Sequence, residues 1–385
     1  MKKKYLLLPI VGLMSLTSCG TANPPAPTAE GKLPEGGTEI VKKEEKTAKL
    51  ASVMKDASTN LSQIDSFGLR TTLHKFEVGG ISEDGKSRVD VHVAGGEPTF
   101  VLGADHLFNG TKENTKVGIN IPAFDIFTEI DYKPVEGDSY LYRNTTSFGG
   151  AGAYLDNGNV YADLSQGHLP DLVVSLAKFT YPFLGELTTE WRMVEMIIKN
   201  IADYPDLVDT LIAQFLGSDF NYKIKVPDAV NKYPLVTYEE VKEEDSVKEA
   251  ENLEAGFEEA TGLKWDDVCS VFTYGKYTGF EFYFKLRDFK TDTYLPESTQ
   301  DMGFVFGDDS GVAFSAIFDE KGLPLDFSFR GGVVITISDE EVSKHFGGDL
   351  TLGANLYFDG SFIYGSNPVS FPESYEGFKE LPFRL

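Results

Sequence analysis

The sequence predicts an α+β fold in which antiparallel strands lie before and after a central group of helices. Residues 67–164 and 280–358 alternate apolar and polar side chains, the pattern of strands that bury one face. Residues 169–216 instead space their apolar side chains three and four positions apart, which is typical of helices. Because 41% of the residues are hydrophobic and 13% are aromatic, the chain also has enough apolar surface for a packed core.

Residues 1–18 have the features of a secretory signal peptide. Three lysines precede the apolar run Tyr5–Leu16, which is too short for a transmembrane helix. The ending Leu16-Thr17-Ser18-Cys19 resembles the lipobox of bacterial lipoproteins, whose cysteine is acylated and becomes the first mature residue. The resemblance implies fatty acyl chains such as palmitate on Cys19 and an anchor on the extracytoplasmic face of the cell membrane. The alternative is an ordinary signal peptide cut nearby, with Cys19 incidental.

Residues 19–46 are expected to form the lipidated cysteine and a tether, because Gly20–Gly37 is rich in proline, alanine, glycine and threonine. Removing residues 1–18 takes away three lysines and no acids, which changes the net charge from −25 to −28. Such a charge repels nucleic acid and anionic lipid head groups. We therefore expect no nucleic-acid partner, and a body that stands off the membrane on its tether.

The body, residues 47–385, is expected to begin with a helix capped by Thr47. Its apolar stripe has helical spacing and comprises Leu50, Val53, Met54, Ala57, Leu61 and Ile64. Strands are predicted at Phe67–Val78 and Lys86–Ala94, joined by a turn at Glu83-Asp84-Gly85. Further strands of the same antiparallel meander are predicted at Thr99–Leu102, Lys116–Ile121, Phe124–Tyr132, Tyr140–Thr145 and Ala153–Leu164, the last with a hairpin turn at Asp156–Asn159.

The middle of the chain is predicted to be helical and then acidic. Apolar helices are expected at Leu169–Phe179, Trp191–Ala202 and Leu207–Leu216, followed by short extended runs at Asn221–Val226 and Lys232–Val236. The acidic stretch Tyr238–Gly262 is interpreted as a helix that lies on the body through Val247, Ala250, Leu253 and Phe257. Its acidic side chains either form a solvated face or bind a cation or a partner.

The C-terminal third is a series of strands rich in phenylalanine, in which Phe280, Phe282, Phe284 and Leu286 share one face. An apolar wall of this kind can line a pocket for a lipid tail. The alternative is a closed core packed onto the middle helices, as dense protein interiors favour. The candidate ligand-binding residues are Phe280, Phe282, Phe284, Phe304, Phe306, Phe314, Phe327 and Phe329. The tail, Phe371–Leu385, is expected to wrap the surface.

Two short sequence segments resemble the bacterial lipoprotein-carrier superfamily, which includes the LolA-type carriers and the LppX/LprG-type lipoproteins. They are Leu61–Phe67, where a helix runs into a first strand, and Ala316–Pro324, a late strand and turn. The resemblance implies a curved antiparallel sheet, a half-open barrel, packed around a bundle of helices on its concave face, where acyl chains bind. The chain is longer than one such module, so its length also permits two modules, 47–226 and 235–385.

Other chemistry finds little support in the sequence. Cys269 lies in an apolar strand and is interpreted as a buried residue. His74 and His92, with Asp90, could share a polar face, but no third strong metal ligand is identifiable. No G-x-S-x-G nucleophile elbow is present, and the glycine-rich segment Phe148–Gly152 lacks the Lys-Ser/Thr of a P-loop, so it is expected to be a flexible hairpin. No catalytic residue, metal site or cofactor is predicted.

The sequence therefore favours a membrane-anchored extracytoplasmic lipoprotein that binds a hydrophobic, lipid-like ligand and is not an enzyme. The alternative is a surface-interaction or envelope-associated lipoprotein with a filled core, whose binding surface is the acidic helix or the loops. The identity of the ligand and the oligomeric state stay open.

Overall fold

A computed structural model describes residues 31–380 except 62, 137, 168, 181–200, 202–209, 211–221, 238–239, 289–303, 309 and 339. Within these residues a large sheet dominates and helices are few. Cys19 lies outside the described residues, as do almost all of the predicted helices Trp191–Ala202 and Leu207–Leu216.

The strands of the N-terminal part follow the predicted ones closely. They are β1 (Thr38–Ile40), β2 (Ser66–Ser82), β3 (Arg88–Ala94), β4 (Thr99–Asp105), β5 (Lys116–Ile121), β6 (Phe124–Tyr132), β7 (Tyr140–Phe148), β8 (Ala151–Asp156), β9 (Asn159–Asp163) and β10 (Lys223–Val226). The predicted extended run Lys232–Val236 contains no strand.

The strands of the C-terminal part are β11 (Cys269–Tyr274), β12 (Tyr277–Lys285), β13 (Phe304–Phe306), β14 (Gly311–Phe318), β15 (Pro324–Ile337), β16 (Leu350–Tyr364) and β17 (Lys379–Glu380). The described helices are α1 (Lys43–Leu61), α2 (Leu169–Thr180), α3 (Glu243–Thr261), α4 (Trp265–Val268) and α5 (Glu340–Phe346).

The sheet forks at its longest strands. Strand β2 pairs with β4 through Ser66–Thr72 and with β3 through Glu77–Ile81. The main arm runs β1–β11–β12–β14–β15–β16–β2–β4–β5–β8–β9–β10–β17, and the side arm runs β13–β15–β16–β2–β3–β6–β7. The predicted simple meander is therefore wrong, because β3 pairs with β6 and β5 with β8. Likewise, Phe148–Gly152 joins the two arms and is not a hairpin.

Both halves of the chain contribute to this one sheet. Strands β2 and β16 pair antiparallel along their whole length, from Ser82 opposite Leu350 to Phe67 opposite Tyr364. Helix α1 also packs beside α3. Residues 47–226 and 235–385 thus share a sheet and a helical layer.

One face of the sheet, here called the helix face, carries α1 and α3. Leu50 and Val53 of α1 pack with Ala250 of α3 against Val271 and Phe280 of the sheet. The dominance of the sheet agrees with the predicted α+β class. Packing of the sheet around a whole bundle stays a prediction, because the middle helices lie largely outside the described residues.

The start of α1 differs from the prediction. The helix begins at Lys43, and the hydroxyl of Thr47 donates a hydrogen bond of 2.8 Å to Glu254 of α3 instead of capping its own helix. Burial raises the pKa of Glu254, and the Thr47 hydrogen bond opposes that rise.

The thiol of Cys269 is buried, and burial raises its pKa to about 12. The Lys46 ammonium donates a hydrogen bond to the backbone carbonyl of the same residue. Cys269 is thus an inert core residue, as predicted.

The opposite face, here called the strap face, is crossed by two extended segments. In the N-terminal one, the N–H of Gly31 donates to Ser328 Oγ at 3.1 Å. The C-terminal strap, residues 366–380, crosses β2, β4, β5, β8 and β9 before β17 pairs with β10. Its ring of Tyr375 stacks on Tyr161 with centroids 3.7 Å apart, so the tail wraps the surface as predicted.

His74 lies at the fork of the sheet, as the extra residue of a bulge in β2. Its Nδ1 is 3.0 Å from Glu97, and its Nε2 is 2.8 Å from Asp359. Both ring nitrogens must donate to satisfy two carboxylates, so this geometry selects the protonated imidazolium. Burial lowers the pKa of His74, but the hydrogen bonds and charges of Glu97 and Asp359 raise it by more, so the net pKa is raised above its ordinary value of 6.5.

We expect His74 to stabilise the fold at acidic pH and to lose this effect as the pH rises. A raised pKa in the folded state means that the contribution is complete below the unfolded pKa, near 6.5, and disappears through the higher folded pKa. The free energy of unfolding of His74→Gln should therefore fall below that of the wild type by roughly 0.5 kcal/mol at about pH 6, and by less at about pH 9. Urea unfolding at both pH values measures this, and Glu97→Gln should reduce the pH dependence. An equal difference at both pH values would contradict it.

Candidate functional site

The helix face carries three rows of side chains that run across the strands. Residues in register share a face, and each row lies two positions along the strand from the next. The buried row is Phe280, Ala316, Phe327, Gly360 and Thr71. The middle row is Phe282, Phe314, Phe329, Phe358 and Leu73. The open row is Phe284, Val312, Gly331, Leu356 and Phe76.

The buried row is part of the packed core. Phe280 is 4% exposed, and its ring meets Phe318 edge to face with centroids 5.5 Å apart. Phe327 is also buried, and its ring centroid is 5.9 Å from that of Phe362. Two of the eight candidate phenylalanines are therefore buried and leave little surface for a ligand: Phe280 packs against the helices, and Phe327 packs among other strand residues.

The middle row is half-buried and almost wholly aromatic. Phe282 packs edge to face on Trp265 of α4 at 5.0 Å, and its centroid lies 6.2 Å from that of Phe314. Phe329 and Phe358 stack at 4.9 Å with planes 22° apart. This row forms an aromatic wall at the limit of the area that the helices cover.

The open row leaves the helices and reaches solvent. Leu356 and Phe76 are each 37% exposed, and the neighbouring Leu352 of the same face is 38% exposed. Gly331 has no side chain at the centre of the row, and the ring of Phe329 leans over it. The burial of the apolar side chains thus decreases steadily from the first row to the third.

A cleft of about 500 Å³ lies at the Phe284 end of the open row. One wall is the end of β12 with Asp288, and the other is the turn between α3 and α4 with the end of α4. Its lining is part apolar and part charged, and comprises Gly262, Leu263, Lys264, Asp267, Val268, Tyr283, Phe284, Lys285 and Asp288.

The remaining predicted positions fall as follows. Phe304 and Phe306 lie on β13 opposite Ile337 and Ile335, in the side arm and on the same face by register. The side chain of Phe304 is outside the described set. Leu286 was expected to continue the strand of Phe284, but it begins a 3₁₀ turn and so leaves the row.

Three exposed apolar residues on the helix face are not among the predicted ligand-binding residues: Phe76, Leu352 and Leu356. The bulge at His74 shifts the alternation of β2 by one residue, so Phe76 joins the face of Leu73 although the sequence places it out of phase. Leu352 and Leu356 alternate in phase with Phe358 in the sequence, but the candidate ligand-binding residues comprise phenylalanines only. Their position in phase with Phe358 is the sequence feature that could have identified these two leucines as site residues.

Metal and membrane features were also sought among the described residues. No group of three or more His, Cys, Asp or Glu side chains in that part of the chain is placed to hold a metal ion. His74 contacts Glu97 and Asp359, whereas His92 bonds to Asp90, so the two histidines do not converge. None of the helices in the described ranges is long and apolar enough to span a membrane.

A comparison with solved structures gives a distant likeness. No protein-family model matches the chain, and no curated protein matches it. One solved structure that does match is described as lipid–protein interactions in lipovitellin, at 9% sequence identity and a TM-score of 0.27. The match covers 81% of this chain but only 26% of that one, so this chain spans about a quarter of the matched structure's length. At this identity and TM-score, the likeness assigns neither a family nor a function.

Proposed function

We propose that this protein is a membrane-anchored extracytoplasmic lipoprotein that binds a hydrophobic, lipid-like ligand without catalysis. The ligand lies on the helix face, over the open row and against the aromatic wall of the middle row. The observation that carries the proposal is the contiguous apolar surface of Phe76, Leu352 and Leu356, each more than a third exposed beside half-buried phenylalanines. Contiguous apolar surface of this kind marks interaction or ligand sites, because leaving it in water is costly.

The dimensions of the open row suit an acyl chain. The row crosses five adjacent strands, so its ends are separated by four strand spacings, about 19 Å in total. One leaflet of the hydrocarbon core of a bilayer is about 15 Å thick, which is the space that a lipid tail occupies. A single tail can therefore lie along the row and contact side chains over its whole length.

A charge in the middle of the open row should abolish binding. We expect Leu356→Asp to weaken uptake of the neutral fluorescent probe Nile red at least tenfold, because a carboxylate replaces an apolar contact worth about 1.5 kcal/mol or more. Fluorescence titration of the purified mature protein measures this. Lipid extraction of the same preparation should show less co-purifying lipid in the variant.

Ile81→Asp is the matched control. Ile81 lies on β2, the strand that pairs with the β16 strand of Leu356, and is 48% exposed, but it points to the strap face. The control should fold as well as Leu356→Asp and bind Nile red like the wild type. Equal loss in both variants, or no probe uptake by the wild type, would count against a ligand site on the helix face.

The interaction-protein alternative has one observation in its favour. Helix α3 contacts the body through Ala250, Leu253 and Phe257, but Val247, expected in the same edge, is exposed among acidic side chains. An exposed apolar residue in an acidic surface suits a basic protein partner. A wild-type protein that takes up no apolar probe, and a Val247→Asp variant that loses a partner in a pull-down, would favour this function.

A further inference from the structure

The cleft beside Phe284 exists because two paired strands differ in length. Cys269, the first residue of β11, lies opposite Phe282, and β12 continues to Lys285 without a β11 partner. The turn Gly262–Lys264 and helix α4 lie beside the end of β12 that has no β11 partner. The cleft therefore opens directly onto the ring of Phe284, the terminal member of the open row.

The cleft contains two lysines, although the chain is strongly acidic. Some lysines of the neighbouring elements are held in ion pairs, as in Lys43–Asp266, Lys55–Glu243 and Lys276–Glu320. Within the described part of the chain, Lys264 and Lys285 have no carboxylate within ion-pair distance, although both line the cleft. Among the described residues of a chain with a net charge of −25, two lysines without an ion pair thus line one cleft.

The cleft also contains two acids, Asp267 and Asp288, so its lining carries as many carboxylates as lysines. Asp288 lies 3.8 Å from the guanidinium of Arg287, which also pairs with Asp308. The cleft therefore combines the ammonium groups of Lys264 and Lys285, which neither aspartate holds in an ion pair, with an apolar side formed by Leu263, Val268 and Phe284.

We propose that this cleft binds the anionic head group of a single-chain amphiphile through Lys264 and Lys285, with the tail along the open row from Phe284 toward Phe76. The inference deepens the proposed function and rests on it. Ammonium groups form charge-assisted hydrogen bonds with carboxylate or phosphate oxygens, which are stronger than bonds between neutral groups. The apolar row alone would bind charged and neutral amphiphiles alike, so the cleft makes the site selective.

The test compares palmitate with methyl palmitate, which has the same tail and no charge. Displacement of Nile red should show that the wild type binds palmitate about tenfold more tightly than the ester. In the double variant Lys264→Gln and Lys285→Gln, affinity for palmitate should fall to that of the ester, and affinity for the ester should not change. Lys248→Gln, which removes an exposed lysine of α3 outside the cleft, should keep the preference.

The outcomes separate this inference from the proposed function. Equal binding of acid and ester by the wild type, or a preference that survives in the double variant, would overturn the head-group site while leaving the apolar site in place. If neither compound displaces the probe, the proposed function itself fails. Inorganic phosphate alone should displace no Nile red at the palmitate concentrations used, and displacement would indicate a free-anion site and overturn the amphiphile proposal.

Discussion

Replacing Gly103 by alanine is expected to destabilise the protein by about 3 kcal/mol, at the upper end of the range for overpacked sites. A Cβ on Gly103 would lie 2.8 Å from Asn367 Cγ and 3.0 Å from Pro368 Cδ, and closer still to Asn367 Oδ1. Asn367 cannot move away freely, because its amide donates to Asp105 at 2.9 Å and its Oδ1 accepts from Val369 at 3.0 Å. Urea unfolding measures the change in the free energy of unfolding.

Gly353→Ala provides the comparison, since Gly353 is also a strand glycine of this sheet and its new Cβ would meet nothing nearer than 3.8 Å. Alanine is normally the more favourable of the two residues in a strand, so this variant should be neutral or slightly stabilised. A double-mutant cycle of Gly103→Ala with Asn367→Ala should be non-additive, because the second change removes the obstructing amide. Similar stabilities for Gly103→Ala and Gly353→Ala would show that the strap does not lie against Gly103.

The groove that holds the strap illustrates what the sequence can predict. The strand β4 was predicted from its alternation, and the tail was expected to wrap the surface. Gly68, Gly103 and Gly118 become a groove only because β2, β4 and β5 are neighbours in register. A single glycine in the sequence does not indicate a groove. The strand pairing that creates the groove depends on contacts between segments far apart in the chain.

The limits of the fold prediction have the same origin. Strands β5 and β6 have the predicted bounds, since local turn residues end both of them. The fork of β2 was not predicted, because it depends on two strands, β3 and β4, pairing with different ends of β2, and no local pattern specifies that division. Thr47 fails as a helix cap for a similar reason, since Glu254 from a distant helix accepts its hydroxyl.

The candidate site was predictable in composition but not in burial. Alternation placed Phe282, Phe284 and Phe314 on one face, and the register agrees. Which phenylalanines a ligand can reach depends on where α1 and α3 end over the sheet, and no local pattern gives that boundary. The rings of Phe280 and Phe282 are two residues apart, yet only the first is fully buried.

Replacing Cys19 by alanine should move the protein from the membrane fraction to the soluble fraction almost completely. Each buried CH₂ contributes about 0.8 kcal/mol to membrane binding. In the proposed lipoprotein, two or more acyl chains would therefore hold a mature protein whose charge of −28 would otherwise keep it away from anionic lipid. Fractionation and mass spectrometry of the mature N-terminus measure this. Cys269→Ala removes the other cysteine, which is buried, and should leave membrane association unchanged.

The same variant tests whether anchoring and ligand binding are independent. The described chain begins at Gly31, bonded to Ser328 on the strap face, whereas the open row lies on the helix face. The proposed acyl anchor at Cys19 and the proposed ligand site on the helix face therefore share no residue. Soluble Cys19→Ala protein should therefore bind Nile red with wild-type affinity. Retention of this variant in the membrane, or a mature N-terminus without acyl chains, would contradict the lipid anchor, and loss of probe binding on release would show that the two faces are coupled.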